Sequence, residues 1–342
     1  MKMNFKTVIA AMAAAAALVG CAEGVSTDLQ CGVDGDADGT MSVRMIYDDV
    51  LTKAETEEYE LALDDEKAVK KVSVLVFDKA SGRLNAFKEM TSVSQECKMT
   101  IPVGEKTVCA IVNGPDLSEV TKLEHFNALS DNLALNDFKD DGFTLVGTTD
   151  CTVEAGKTVE PTVAVKWLVA RVVLNKITCK LAPQYGEMTV NCVYLGNANT
   201  IQDFSGAVSA MANPDGYADS AKSRAVGRGG EMGFCPDYLY RSVGVTIPVG
   251  QNVASPYYMY CHPNASTTYT CLYVVATIAG ERHYYRVPLK NSLKANHTYS
   301  VDLTIANLGS PMPPAGDYQT GTVQAVISMG GWIVGNSYTA EF

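Results

Sequence analysis

Four histidines stand in the 342 residues, at positions 125, 262, 283 and 297. None is spaced from a cysteine, an acid or another histidine as a zinc site or a Ser/His/Asp constellation requires, so each reads as a structural residue. The stretch Gly227-Arg228-Gly229-Gly230-Glu231-Met232-Gly233 comes nearest to a phosphate-cradling loop. Its glycines have the wrong spacing, and it does not lead from a strand into a helix. Seven acids between Glu55 and Glu66 lack the Asp-x-Asp-x-Asp-Gly order of a calcium loop and read as a solvated stretch. No residue is nominated as catalytic, cofactor-binding or metal-ligating, and no enzyme activity or cofactor is expected.

Ten cysteines carry the remaining reactive chemistry. No Cys-x-x-Cys occurs, but three pairs flank expected turns: Cys97 with Cys109, Cys179 with Cys192, and Cys261 with Cys271. Facing residues of a hairpin can bridge, and buried free cysteine packs equally well as a small hydrophobe, so which of them pair stays open. Asn264-Ala265-Ser266 and Asn296-His297-Thr298 are N-glycosylation sequons, and Asp219-Ser220-Ala221 resembles a bacterial O-glycosylation acceptor.

The formal charge is −11, from 27 basic and 38 acidic residues. Such a surface repels a phosphate backbone, so nucleic acid is not an expected partner. Lys2 and Lys6 precede an apolar run over residues 8–20, which as a helix would span about 20 Å, short of a ~30 Å bilayer core. That is a signal peptide, residues 1–20. It ends in Leu18-Val19-Gly20-Cys21, which resembles the lipobox of bacterial lipoproteins. The resemblance implies that Cys21 receives palmitate-type acyl chains, two or three of which hold a protein durably to a membrane. Ala22 and Glu23 follow, without an Asp directly after the cysteine, which favours the outer membrane. In an exported chain disulfides are permitted.

These residues need a scaffold. Residues 22–39 are rich in Gly, Asp and Ser and read as a tether. In residues 40–47, Met41, Val43, Met45 and Tyr47 share one face at every second position, the pattern of a half-buried strand. Residues 48–70 are charged and read as an exposed linker or short helix. A strand follows at 71–77 and turns at 78–82; 97–103 and 106–113 make an expected hairpin, and 117–135 has helical spacing. From 144 onward strands dominate, beginning with a long one at 159–174 and interrupted by an excursion loop at 198–233. The fold class is mainly β, with few short helices and two β-sandwich-like domains, transthyretin-like or Greek-key. The expected limits are 54–165 and 166–342, with 21–53 as a lipidated tether and removable first strand.

The tail repeats the first strand's pattern: Val323, Ala325, Ile327 and Met329 fall on one face of residues 320–342, after a Pro/Gly arm at 309–321. Such a strand can close its own domain or add to another molecule's sheet. A vacant groove would arise if a trypsin-like protease cut after Lys53, or after Arg44 inside the strand, and so removed Met41, Val43, Met45 and Tyr47.

At this point the chain resembles the FimA-type fimbrillins of type V pili. The likeness rests on the lipobox, the strand before a basic site, Val72-Ser73-Val74-Leu75-Val76-Phe77-Asp78 running into Gly82, and Trp167-Leu168-Val169-Ala170-Arg171-Val172. Tyr260-Cys261-His262-Pro263-Asn264, Tyr284-Tyr285-Arg286-Val287 and Lys294-Ala295-Asn296-His297-Thr298-Tyr299 complete it. The resemblance implies an outer-membrane lipoprotein precursor that becomes a surface fimbrium serving adhesion. A protease removes the first strand, and a neighbour's C-terminal strand replaces it. The partners implied are other copies or related pilins, the membrane through the lipid, the protease, and a host or bacterial surface ligand. A Lys site departs from the family's best-known members, which are cut after Arg. Two other readings stand beside it: a membrane-bound pilus anchor that keeps its first strand, and a non-polymerising, glycan-binding lipoprotein using Tyr257, Tyr258, Tyr260, Tyr284 and Tyr285 for stacking.

Overall fold

The structure, a computed structural model, describes residues 38–47, 60–134, 142–212, 224–225, 234–235, 237–290, 292–311 and 323–333. The signal peptide, Cys21, Lys53, the glycine-rich stretch at 227–233 and Asp219-Ser220-Ala221 lie outside them. No helix among the described residues is long and apolar enough to cross a membrane.

The first half of the chain runs β1 (Asp38–Tyr47), β2 (Glu60–Leu61), β3 (Val72–Asp78), β4 (Leu84–Met90), β5 (Cys97–Pro102) and β6 (Gly104–Val112). A short helix α1 (Leu123–Asn127), β7 (Ser130–Asn132), β8 (Leu145–Val153), β9 (Thr158–Val159) and β10 (Thr162–Trp167) follow. The second half runs β11 (Ala170–Cys179), β12 (Glu187–Gly196), β13 (Ala198–Asp203), β14 (Val208–Ala212), β15 (Arg224–Ala225), β16 (Phe234–Cys235) and β17 (Tyr240–Pro248). It ends with β18 (Asn252–Cys261), β19 (Cys271–Ile278), β20 (Glu281–Pro288), β21 (His297–Ile305) and β22 (Val323–Ile333).

The first sheet has the order β4-β3-β6-β8-β10-β1-β5, with β9 paired beside β1. It curls until its end strands meet, where Lys88 Nζ donates to the Lys98 carbonyl at 3.2 Å. β3 is apolar on both faces because both are covered. Val72, Val74 and Val76 point into the curl with Val108, Ala110 and Val163, while Leu75 and Phe77 pack outside with Cys109, Ile111 and Phe126 of α1. Its turn is built by Asp78, whose carboxylate accepts from the Ser81 N–H at 2.9 Å and the Ser81 hydroxyl at 2.7 Å. Gly82 supplies the left-handed φ of +67° that the turn requires.

The second half is a sandwich: a five-stranded sheet β18-β11-β21-β22-β2 faces a four-stranded sheet β17-β12-β19-β20. Between them lies a core including Val172, Leu174, Tyr194, Tyr273, Tyr285, Val301 and Leu303. The mainly β, sandwich-like fold class expected from the sequence is the one observed.

Several local expectations change. β5 and β6 do not pair: β5 lies at the sheet edge on β1, and β6 lies between β3 and β8, so Cys97 faces the inner core and Cys109 the outer one. Cys179 on β11 and Cys192 on β12 belong to opposite sheets, as do Cys261 on β18 and Cys271 on β19. None of the three pairs bridges; Cys97, Cys109, Cys151, Cys179, Cys192, Cys261 and Cys271 are all free thiols. The long strand at 159–174 is three strands, broken at residues 160–161 and at Leu168 and Val169, where the chain passes from the first sheet to the sandwich. Helix in 117–135 is confined to the five residues of α1, and the excursion at 198–233 contains β13 and β14, which join β7 in a small sheet.

Candidate assembly site

β1 is held along both edges. Residues Asp38 to Val43 run antiparallel to β5, from Asp38 opposite Pro102 to Val43 opposite Cys97. On the other edge, Thr40 and Met41 run parallel to β9, and Arg44 to Tyr47 run parallel to β10. The backbone N–H of Thr40 donates to Lys157 O at 2.9 Å and that of Arg44 to Pro161 O at 3.0 Å. Gly39 lets the backbones close in, since a Cβ there would lie 2.6 Å from both Glu154 O and Val153 Cγ1. Met41, Val43 and Met45 are buried at 0%, 3% and 7% exposure, and the Tyr47 ring stacks on Trp167 at 6.2 Å. At roughly 1.5–3 kcal/mol per buried side chain, the three aliphatic residues contribute roughly 5–9 kcal/mol of apolar burial. Arg44 points its side chain to solvent, while its backbone pairs with β10 beyond the end of the β5 ladder.

β22 is held differently. It lies antiparallel to β21 from Val323 opposite Ile305 to Gly331 opposite His297. Among the described residues, its other edge pairs with β2 at Trp332 and Ile333. The tail therefore closes its own sheet in this structure. Ala325 is half-buried against the sandwich core, yet Ile327, two residues on and on the same face, stays 36% exposed. The side chains of Val323 and Met329 lie outside the described set. The two strands thus share an apolar period, and among the described side chains Met41, Val43 and Met45 of β1 are buried more fully than Ala325 and Ile327 of β22.

The seam between first sheet and sandwich is fastened by a carboxylate that reads, in sequence, as part of a solvated acidic run. Glu66 is fully buried. Its Oε2 accepts from Arg171 Nη1 at 2.9 Å and from the Leu63 N–H at 2.6 Å, and its Oε1 accepts from the Tyr260 hydroxyl at 2.5 Å. Trp167 Nε1 donates to the Glu66 carbonyl at 3.3 Å, and Arg171 Nε donates to Thr298 Oγ1 at 2.9 Å. The guanidinium also lies over the Tyr258 ring, 5.5 Å from its centre. Burial, and then the charge of Glu66, push the Tyr260 phenol far above its ordinary range. The one sequence signal for such a partner is Arg171: an arginine between Ala170 and Val172 in a buried strand requires an acid, though it does not say which. Nearby, His262 Nε2 stands 3.4 Å from Asp131 Oδ2, and the other Asp131 oxygen accepts from Thr144 Oγ1 at 3.0 Å.

Residues 37–169 match the family described as Major fimbrial subunit protein (FimA). The likeness is one of similarity and covers less than half of the chain. It begins one residue before β1 and ends where the chain leaves the first sheet. The fold carries the likeness further. A fimbrilin (FimA) from Porphyromonas gingivalis W83 superposes with a TM-score of 0.60 at 14% identity, over 88% of this chain and 99% of that one. A candidate cell adhesion protein from Parabacteroides distasonis ATCC 8503 gives 0.63 at 14% identity, over 87% and 99%. The tip fimbrial protein Mfa3 from Porphyromonas gingivalis, with a C-terminal truncation, gives 0.50 at 14% identity, over 86% and 100%. At such identities the shared property is the fold. No curated protein sequence matches the chain.

The fimbrillin motifs of the sequence turn out to be packing residues of the seam and the sandwich. Trp167, Arg171, Tyr260 and His262 meet at the junction, and Tyr284 and Tyr285 are buried at 2% and 0% exposure. Tyr260, Tyr284 and Tyr285 therefore offer no face to a glycan; Tyr257 and Tyr258 are half-buried, the latter under Arg171. The sequon residues Asn264 and Asn296 are buried too, and Asn264 Nδ2 donates to Thr268 O at 2.9 Å and to Thr270 Oγ1 at 3.0 Å. No cluster of metal-binding side chains occurs among the described residues.

Proposed function

We propose that this chain is a structural subunit of a cell-surface fimbria serving adhesion. It is exported as an outer-membrane lipoprotein through Cys21, loses residues 21–53 to a trypsin-like protease, and polymerises by donor-strand exchange with its own copies or related pilins. The observation that carries the reading is the contrast between two strands of one period. β1 fills a slot lined on both edges, whereas β22 rests on one full edge with Ile327 still exposed. Loss of β1 would strip roughly 5–9 kcal/mol of burial from the first sheet and open two strand edges. A strand carrying Val323, Ala325, Ile327 and Met329 can restore both. Of the two basic sites, Lys53 is favoured, because a cut there releases the whole strand, whereas Arg44 lies inside β1 with its N–H bonded to Pro161 O.

Low-dose trypsin on the purified precursor should yield a new N-terminus at Ala54 and a ladder of high-mass, boiling-sensitive oligomers. Removing residues 320–342 should leave the cut and abolish the ladder. A cut chain of full tail that remains monomeric would remove donor-strand assembly as the explanation.

A further inference from the structure

Away from both assembly strands, the outer face of β3 and β4 and the loop after β6 enclose a cavity of about 620 Å³. That size suits a small molecule or one large side chain with its neighbours. Its walls are apolar: Leu75 from β3, Leu84 and Phe87 from β4, and Leu117 and Val120 from the loop. Leu84, Phe87 and Leu117 are only partly buried although they flank the small core under α1, so they keep apolar surface for an occupant.

The polar lining is unevenly matched. Lys71 Nζ lies 3.5 Å from Pro115 O, with the negative charge of Asp116 nearby, and Asp116 already accepts from the Ser118 N–H at 3.0 Å and the Ser118 hydroxyl at 2.9 Å. Lys122 pairs with Glu124 at 3.1 Å. Arg83 has no ion pair among the described residues, and its side chain is exposed. Asn85, two positions along, makes no side-chain hydrogen bond among them either. Its Oδ1 is shut off from solvent, which leaves the Nδ2 amino group to meet the cavity.

The geometry points to a binding site for a small amphipathic carboxylate, its apolar body lodged between Leu84, Phe87 and Leu117 and its head taken by Arg83 and Asn85. A guanidinium presents a planar fork that matches a carboxylate, and a neutral amide adds a donor without adding charge. A doubly charged phosphate fits less well, because Glu89 and Asp116 also line the cavity and only Arg83 is unmatched. The same chemistry comes from a free fatty or aromatic acid, or from the carboxyl end of an apolar peptide. This site does not depend on the fimbrial reading.

Calorimetric titration of the full-length chain with decanoate, and separately with N-acetyl-phenylalanyl-phenylalanine, tests it. At least one should saturate a single site below about 1 mM, with decanol or the peptide amide at least about tenfold weaker. Saturation by decanoate alone assigns a free acid, and by the peptide alone a chain terminus. Arg83→Gln should weaken binding about tenfold and flatten its salt dependence, while Asn85→Leu should weaken it by about fivefold. The exposed Lys98→Gln, outside the cavity, should change nothing. Circular dichroism and melting would show the variants folded, as expected for an exposed arginine. No saturation by either probe, equal binding of the uncharged analogues, or a folded Arg83→Gln that binds as well as the parent would overturn the assignment.

Discussion

Cutting Glu66 back to Ala would leave the Arg171 side chain, 1% exposed, charged and without its carboxylate, and the Tyr260 hydroxyl without its acceptor. Breaking a buried ion pair from one side costs about 3–5 kcal/mol. Urea unfolding of Glu66→Ala should show a loss of that order, and adding Arg171→Met should recover part of it. Additive losses would deny the coupling. His262 supplies a pH signature. Burial, as the larger effect, lowers its folded pKa below 6.5, although Asp131 pulls the other way. The unfolded chain therefore takes up a proton as pH falls through about 6.5 while the folded chain resists, so stability is full above that pH and declines below it. His262→Gln should flatten this slope; a second decline near the lower carboxylate range would remain, because hydrogen bonds from Ser81 and Lys106 hold Asp78 at about 2. The thiols make a third case: burial pushes Cys97 to about 11 and Cys109 and Cys261 to about 12, whereas Cys151 is half-exposed and raised less. Iodoacetamide at pH 8 should label Cys151 first among these and reach the others only after unfolding. Glu66 is not legible in the sequence, since nothing within an acidic run marks the one member that turns inward.

Alternation revealed strands readily, because a half-buried pleat imposes a period of two on β1 and on the first part of β12. It said little about pairing. The residues of β5 and β6 look like a hairpin because they flank Gly104, yet each finds its partners elsewhere in the sheet. Likewise, residues 159–174 look continuous because both faces stay apolar while the chain changes sheets. β2 was hidden because two residues carry no period at all. Its pairing with Trp332 and Ile333 follows directly on the segment containing Lys53, and it is the only ladder on that edge of β22 among the described residues. Leu61→Pro removes a donor there and disfavours the strand. Hydrogen exchange should rise at residues 331–333 and stay unchanged at 41–46, and tryptic assembly should show a shorter lag. Faster exchange in β1 as well would mean that the two strands are not held independently.

At the scale of the whole chain, the mainly β, sandwich-like fold was legible in many short strands and little helix, whereas the cavity beside Arg83 was not, since it needs residues from two strands and a loop to meet. The ledger of β1 makes one further prediction. With roughly 5–9 kcal/mol of burial behind it, β1 should stay bound after the Lys53–Ala54 bond is cut. Size exclusion of nicked monomer lacking residues 320–342 should recover the 21–53 fragment with the body, and a synthetic peptide of residues 320–333 should displace it. Spontaneous loss without the peptide would place the slot's affinity far below this figure. β10 borders that slot, passes through Leu168 and Val169 into β11, and β11 lies parallel to β21, from which the chain runs on to β22. Tension applied to a fibre joined at these places would travel lengthwise through ladders loaded in shear, so that many hydrogen bonds must yield together rather than unzip one at a time.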